Sequence, residues 1–132
     1  MNNSSSDVLE LRLAKFWFLL AYILLLGLGI LSLIPAPDIG GSDKIAHFAA
    51  YAVLSAWFSL LVEQRKSLWL VLFGLIGYGL LLEFLQSLTS YRHGDVADAI
   101  ANSLGVMTGL VFYFSPLRRI LRQIDGRLMS RL

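Results

Sequence analysis

Residues 16–34, FWFLLAYILLLGLGILSLI, run without a charged side chain until Pro35 and Pro37 break the pattern. A helix rises about 1.5 Å per residue, so this run matches the hydrocarbon thickness of a bilayer. In water, such a helix would need burial on every side, and a chain of 132 residues has little material to provide it. Lipid is the medium that suits it. Three further apolar runs, at 45–62, 68–88 and 96–114, repeat the length, and the connections PAPDIGGSDK, EQRKS and TSYRHGD are short. Short connections favour antiparallel neighbours, and runs of this length are too long for barrel strands. The expected fold class is all-α: one polytopic membrane domain over residues 1–132, with four transmembrane helices in an up-and-down bundle, both termini cytoplasmic and a basic tail at 115–132.

Composition agrees with this reading. The chain is 57% hydrophobic and 15% charged, against about 45–50% and about 25% for soluble domains. It has no cysteine, which removes disulfides, thiolate metal sites and cysteine nucleophiles. The start, MNNSSSDVLELRLAK, contains acidic residues, and the first apolar run does not end at a small-residue cleavage site. No signal peptide is expected, and the first span is expected to be retained.

Lysine and arginine give the orientation. Arg12, Lys15, Arg65, Lys66, Arg118, Arg119, Arg122, Arg127 and Arg131 share one side, and Lys44 and Arg92 lie on the other. This bias places both termini in the cytoplasm and the 35–44 and 89–95 loops outside. The tail LRRILRQIDGRLMSRL is amphipathic as well as basic. It reads as a positive-inside anchor, with headgroup contact as the alternative.

Once the spans are oriented, the polar residues fall into one outward layer. Asp43, His47 and Tyr51 are spaced i, i+4, i+8, on one face of the second span. Glu83 and Gln86 end the third. Asp95, Asp98, Asn102, Gly105 and Gly109 share a face of the fourth, so its polar stripe runs into a GxxxG seam that admits close helix approach. Asp38, Lys44, Arg92 and His93 add charge from the loops. Glu83 lies about 9 Å inside the end of its span, where a charge is costly without a partner or a proton.

DKIAHFAAY at 43–51, EFLQ at 83–86 and RHGDVADAIANSLGVMTG at 92–109 together resemble the VanZ-like family of small integral membrane proteins. The resemblance covers Asp43, Lys44, His47, Tyr51, Glu83, Gln86, Arg92, Asp95, Asp98, Asn102 and Gly105. It implies a four-span protein of bacterial plasma membranes. It also implies a link to low-level resistance to the glycopeptide teicoplanin, which is associated with the founding member. It implies no particular reaction.

Several functions suit these residues. In the leading reading, the layer binds an anionic lipid headgroup or a lipid-linked cell-envelope precursor. Arg92 clamps phosphate and Lys44 acts as a point charge, while Tyr51, Gln86 and Asn102 bond sugar or pyrophosphate oxygens and Asp43, Asp95 and Asp98 complete the site. As an enzyme acting on a lipid-linked phosphate or acyl group, the chain would use His47 or Glu83 as general acid or base, with Asp95 or Asp98 orienting the histidine. In the third reading, the polar residues only fix helix packing. Transport by a monomer is disfavoured, because spans 1 and 2 carry no ionisable residue in their inner halves. Imidazole and carboxylate from His47, His93, Glu83, Asp95 and Asp98 suit zinc or manganese, but HxxxH and HExxH spacings are absent. No metal or cofactor is therefore expected. The expected partner is a membrane lipid or lipid-linked precursor, with no nucleic acid, and the oligomeric state is open.

Overall fold

A computed structural model of the chain describes residues 11–35, 42–91 and 93–132. Arg92 and Asp38 lie outside the described residues. The regular structure described is all helical: α1 Ala14–Leu33, α2 Ser42–Leu61, α3 Leu68–Ser87, α4 Val96–Leu110 and α5 Leu117–Met129. A 3-10 turn, Arg65–Ser67, leads into α3, and another, Val111–Phe114, tightens the end of the fourth span. Among the described residues, four helices are long and apolar enough to cross a membrane. The second starts earlier than its apolar run, at Ser42, so Asp43 and Lys44 are on the helix itself.

Contacts between helices establish the alternation. Tyr78 of α3 donates to the Leu25 carbonyl of α1 at 2.7 Å, and Gln86 donates to that of Ser32 at 2.6 Å. Both numbers rise together, so α1 and α3 are parallel. Ser55 of α2 donates to the Val106 carbonyl of α4 at 2.7 Å, and Gly105 lies beside Phe48 while Gly109 lies beside Ala52 and Ala56. This pair is also parallel. Trp57, near the end of α2, reaches the Trp17 carbonyl near the start of α1, so consecutive helices run in opposite directions.

The α2–α4 pair is the most intimate in the bundle, and Gly105 and Gly109 explain why. A Cβ at Gly105 would strike the Phe48 carbonyl. One at Gly109 would come within 2.5 Å of the Ala52 carbonyl and 2.6 Å of the Ala56 nitrogen. Because the obstacles are backbone atoms, side-chain rotation would not relieve them. Small residues let the helices touch where lipid supplies no hydrophobic drive for association. Tyr51, Leu54, Phe58, Leu61, Val71, Leu75 and Val106 fill the centre, while Leu19, Ile23, Leu26, Leu70, Phe73, Leu80 and Phe84 face outward. In a membrane, those outward side chains meet acyl chains.

At one end of the bundle, α5 is built into the structure. Asp125, only 1% exposed, accepts hydrogen bonds from the Arg12 and Leu13 amides at 2.7 and 3.0 Å and from the Trp17 indole at 2.8 Å. It thus satisfies donors that the start of α1 leaves without intrahelical acceptors. Arg118 donates to the Val62 carbonyl at 2.8 Å and Arg122 to that of Leu60 at 3.2 Å, placing positive charge at the C-terminal end of α2. The tail is therefore fastened to α1 and α2 by its buried face.

Candidate functional site

The opposite end, here termed the His47 end, gathers the termini of α1 to α4. Asp43, His47 and Tyr51 share a face of α2, as their spacing predicts. The face looks toward α4: His47 Nδ1 lies 3.0 Å from Asn102 Oδ1. The other ring nitrogen, Nε2, is 3.6 Å from Asp43 Oδ1. The histidine partners are thus an amide and Asp43, whereas the catalytic reading had Asp95 or Asp98 orienting the ring. A four-residue offset on one helix puts Asp43 directly over His47.

Lys44 bridges to α4. Its Nζ is 3.2 Å from Asp95 Oδ2 and 3.6 Å from Asp98 Oδ1. Asp95 is the N-cap of α4, its other oxygen accepting from the Ala97 amide at 2.8 Å. That amide bond, and then Lys44, hold the Asp95 carboxyl below the ordinary carboxylate range. The Asp95 amide in turn donates to Glu83 Oε2 at 3.1 Å, so the buried Glu83 has a partner at the start of α4. Gly94 permits this approach, since a Cβ there would lie 2.7 Å from the Glu83 carbonyl. The sequence reading passed over this glycine, although its place between His93 and the Asp95 cap is a turn signal.

Tyr51 and Asn102 lie deeper. Both pack against Gly79 of α3, where a Cβ would meet the Tyr51 hydroxyl and Asn102 Nδ2 at 3.3 Å. Gln86 faces elsewhere. Although only three positions from Glu83, it donates to Ser32 on α1 and ties that helix to α3. His93 is exposed.

These residues form a graded structure. At the rim, the side chains of Lys44, Asp43 and Asp95 are 51%, 54% and 48% exposed; beneath it, those of His47 and Asp98 are 13% and 10% exposed. Below them, Glu83, Tyr51 and Asn102 are buried. The carboxylates of Asp43, Glu83, Asp95 and Asp98 outnumber the cations described there. One atom stands out: among the described residues Asp98 Oδ1 is buried with no hydrogen-bond partner, the Lys44 ammonium being too distant for a hydrogen bond. Such an arrangement can take cations, hydroxyl donors and, through Lys44, a phosphate oxygen.

Four apolar helices capped at one end by this polar layer define a multi-pass membrane architecture. The family model described as VanZ/LLP1 matches residues 2–121, and the chain belongs to that family. It is 32% identical over 106 residues to an uncharacterized protein of Schizosaccharomyces pombe, a match covering 77% of this chain and 65% of that protein. The chain thus spans about two-thirds of the length of this yeast relative. No solved structure matches it.

Proposed function

We propose that the His47 end binds the phosphate-bearing headgroup of a lipid, either a membrane phospholipid or a lipid-linked precursor of the cell envelope. The observation that carries this reading is the gradation itself. A rim half open to water leads to a buried polar floor, and the whole is surrounded by helix faces that present Ile45, Leu81, Phe84, Val96 and Ile100 outward. A ligand entering from the bilayer keeps its chains against those faces while its headgroup meets the rim. Lys44 has three donors and spends one on Asp95, leaving donors for phosphate. Carboxylates and the Asn102 amide take sugar or glycerol hydroxyls. Arg92 supplies a second cation on the sequence reading. The lysine and arginine bias supports an outward orientation for this end. A role in teicoplanin resistance would follow through the precursor as ligand.

Native mass spectrometry of the detergent-extracted protein tests the reading. A phosphate-bearing lipid is expected to be retained, with the adduct reduced at least about tenfold by Lys44→Ala or Arg92→Ala, the scale of losing one charge-assisted hydrogen bond. Retention of assorted lipids without regard to headgroup, unchanged in both variants, would refute it.

A further inference from the structure

We infer that Asp43, His47 and Asp98 form a site for one divalent cation of the zinc or manganese type. One ligand atom from each lies within 4.8 Å of the other two. Ligands at about 2.1 Å from a metal are about 3.4 Å apart at tetrahedral angles, so closing the set takes about an ångström of movement. Asp43 and His47 Nε2 are already 3.6 Å apart, and Asp43 is half exposed on the first turn of α2. Imidazole nitrogen with carboxylate oxygen is a donor set these metals accept.

Two further observations point to a cation. The first is the histidine. An amide oxygen can only accept, so with Asn102 Oδ1 against Nδ1 the neutral ring carries its hydrogen on Nδ1. The lone pair is then on Nε2, the nitrogen 3.6 Å from the Asp43 carboxylate. Lone pair against carboxylate is repulsive unless a positive charge lies between them. Fixing the far nitrogen by a hydrogen bond is also how metal-bound histidines are oriented. The second is Asp98 Oδ1, which is buried and, among the described residues, without a hydrogen-bond donor, the Lys44 ammonium being 3.6 Å away. A buried acceptor left unmatched is costly, and a metal ion would satisfy it.

The cation also reduces the excess of carboxylates at the headgroup site. Two carboxylates and a divalent ion sum to zero, and three protein ligands leave positions open toward the exposed rim. A phosphate oxygen is suited to one of them. The metal inference rests on the ligand geometry and does not require the lipid reading.

The competing occupant is a proton on Nε2, and a metal titration decides between them. Detergent-purified protein, stripped with chelator, is titrated with Mn²⁺ by electron paramagnetic resonance and with Zn²⁺ by calorimetry, at mildly alkaline pH. The expected result is one ion per chain, with nitrogen hyperfine coupling from a single imidazole on bound Mn²⁺. His47→Gln should abolish that coupling, and Asp98→Asn should weaken binding at least about tenfold. Failure of both ions to bind would overturn the inference. So would bound Mn²⁺ without nitrogen coupling in the unaltered protein, a result that needs no variant to fold. Measuring lipid retention in chelator keeps the two proposals separate. Metal bound without lipid would refute only the headgroup reading, and lipid retained without metal binding would refute only the cation site.

Discussion

The two ends of the bundle both bury charge, and they treat it differently. At the α5 end, side chains meet backbone. Asp125 takes the free amides at the start of α1, and Arg118 and Arg122 take carbonyls at the end of α2. Each charge faces the helix pole of opposite sign. At the His47 end, side chains mostly meet one another: lysine with two aspartates, histidine with asparagine and aspartate. Among the described residues each end has a buried polar atom without a hydrogen-bond partner, Arg118 Nε at the α5 end and Asp98 Oδ1 here, but only Asp98 Oδ1 is an acceptor set among other carboxylates. The first arrangement serves helix termini that would otherwise be unsatisfied. The second leaves capacity for something from outside.

This contrast can be broken by substitution. The largest effect is expected from Asp125→Ala, which strands two amides and an indole. It should cost on the order of 3 kcal/mol, read from unfolding in detergent, and leave metal binding at the far end intact. Next comes Gly109→Ala, which drives a methyl group into the backbone of α2. It should cost about 1–3 kcal/mol and weaken both ends, since α2 and α4 carry the site between them. Asp98→Asn should change stability by less than about 1 kcal/mol while losing metal affinity. Removing one of several crowded carboxylates relieves repulsion as well as breaking a half-exposed pair. Acidification gives the smallest effect. The folded pKa of Asp95 is lowered, so its contribution is fully present above the unfolded carboxylate pKa of about 4. It is lost as pH falls through the folded value. The melting temperature of Asp95→Asn should therefore approach that of the unaltered protein only below about pH 4.

The spans were legible because uninterrupted apolar runs admit few alternatives in a chain of this length. The GxxxG seam was legible too, but its partner was not. Spacing shows that Gly105 and Gly109 share a face, whereas only packing shows that the face meets Phe48, Ala52 and Ala56. Similarly, Asp43 and His47 were visible as a pair on one helix. Asp98 joins them from another helix, so no local spacing reveals the three as a ligand set. Glu83 and Gln86 were read together into the outward polar layer. Their angular offset of about 60° on the helix is enough to send one toward α4 and the other to α1. The tail was read as an amphipathic, basic segment without an inner partner. Its one acidic residue, Asp125, set among basic and apolar neighbours, was the available sign that this helix has an inner partner.

The central claim is that the polar residues of the His47 end are arranged for a ligand, whereas those of the α5 end hold the fold. The unfolding free energy of the His47→Gln, Asp98→Asn double variant, measured in detergent without added metal, tests it most directly. The account predicts a value within about 1 kcal/mol of the unaltered protein. A loss as large as that caused by Asp125→Ala would contradict it and make both ends structural.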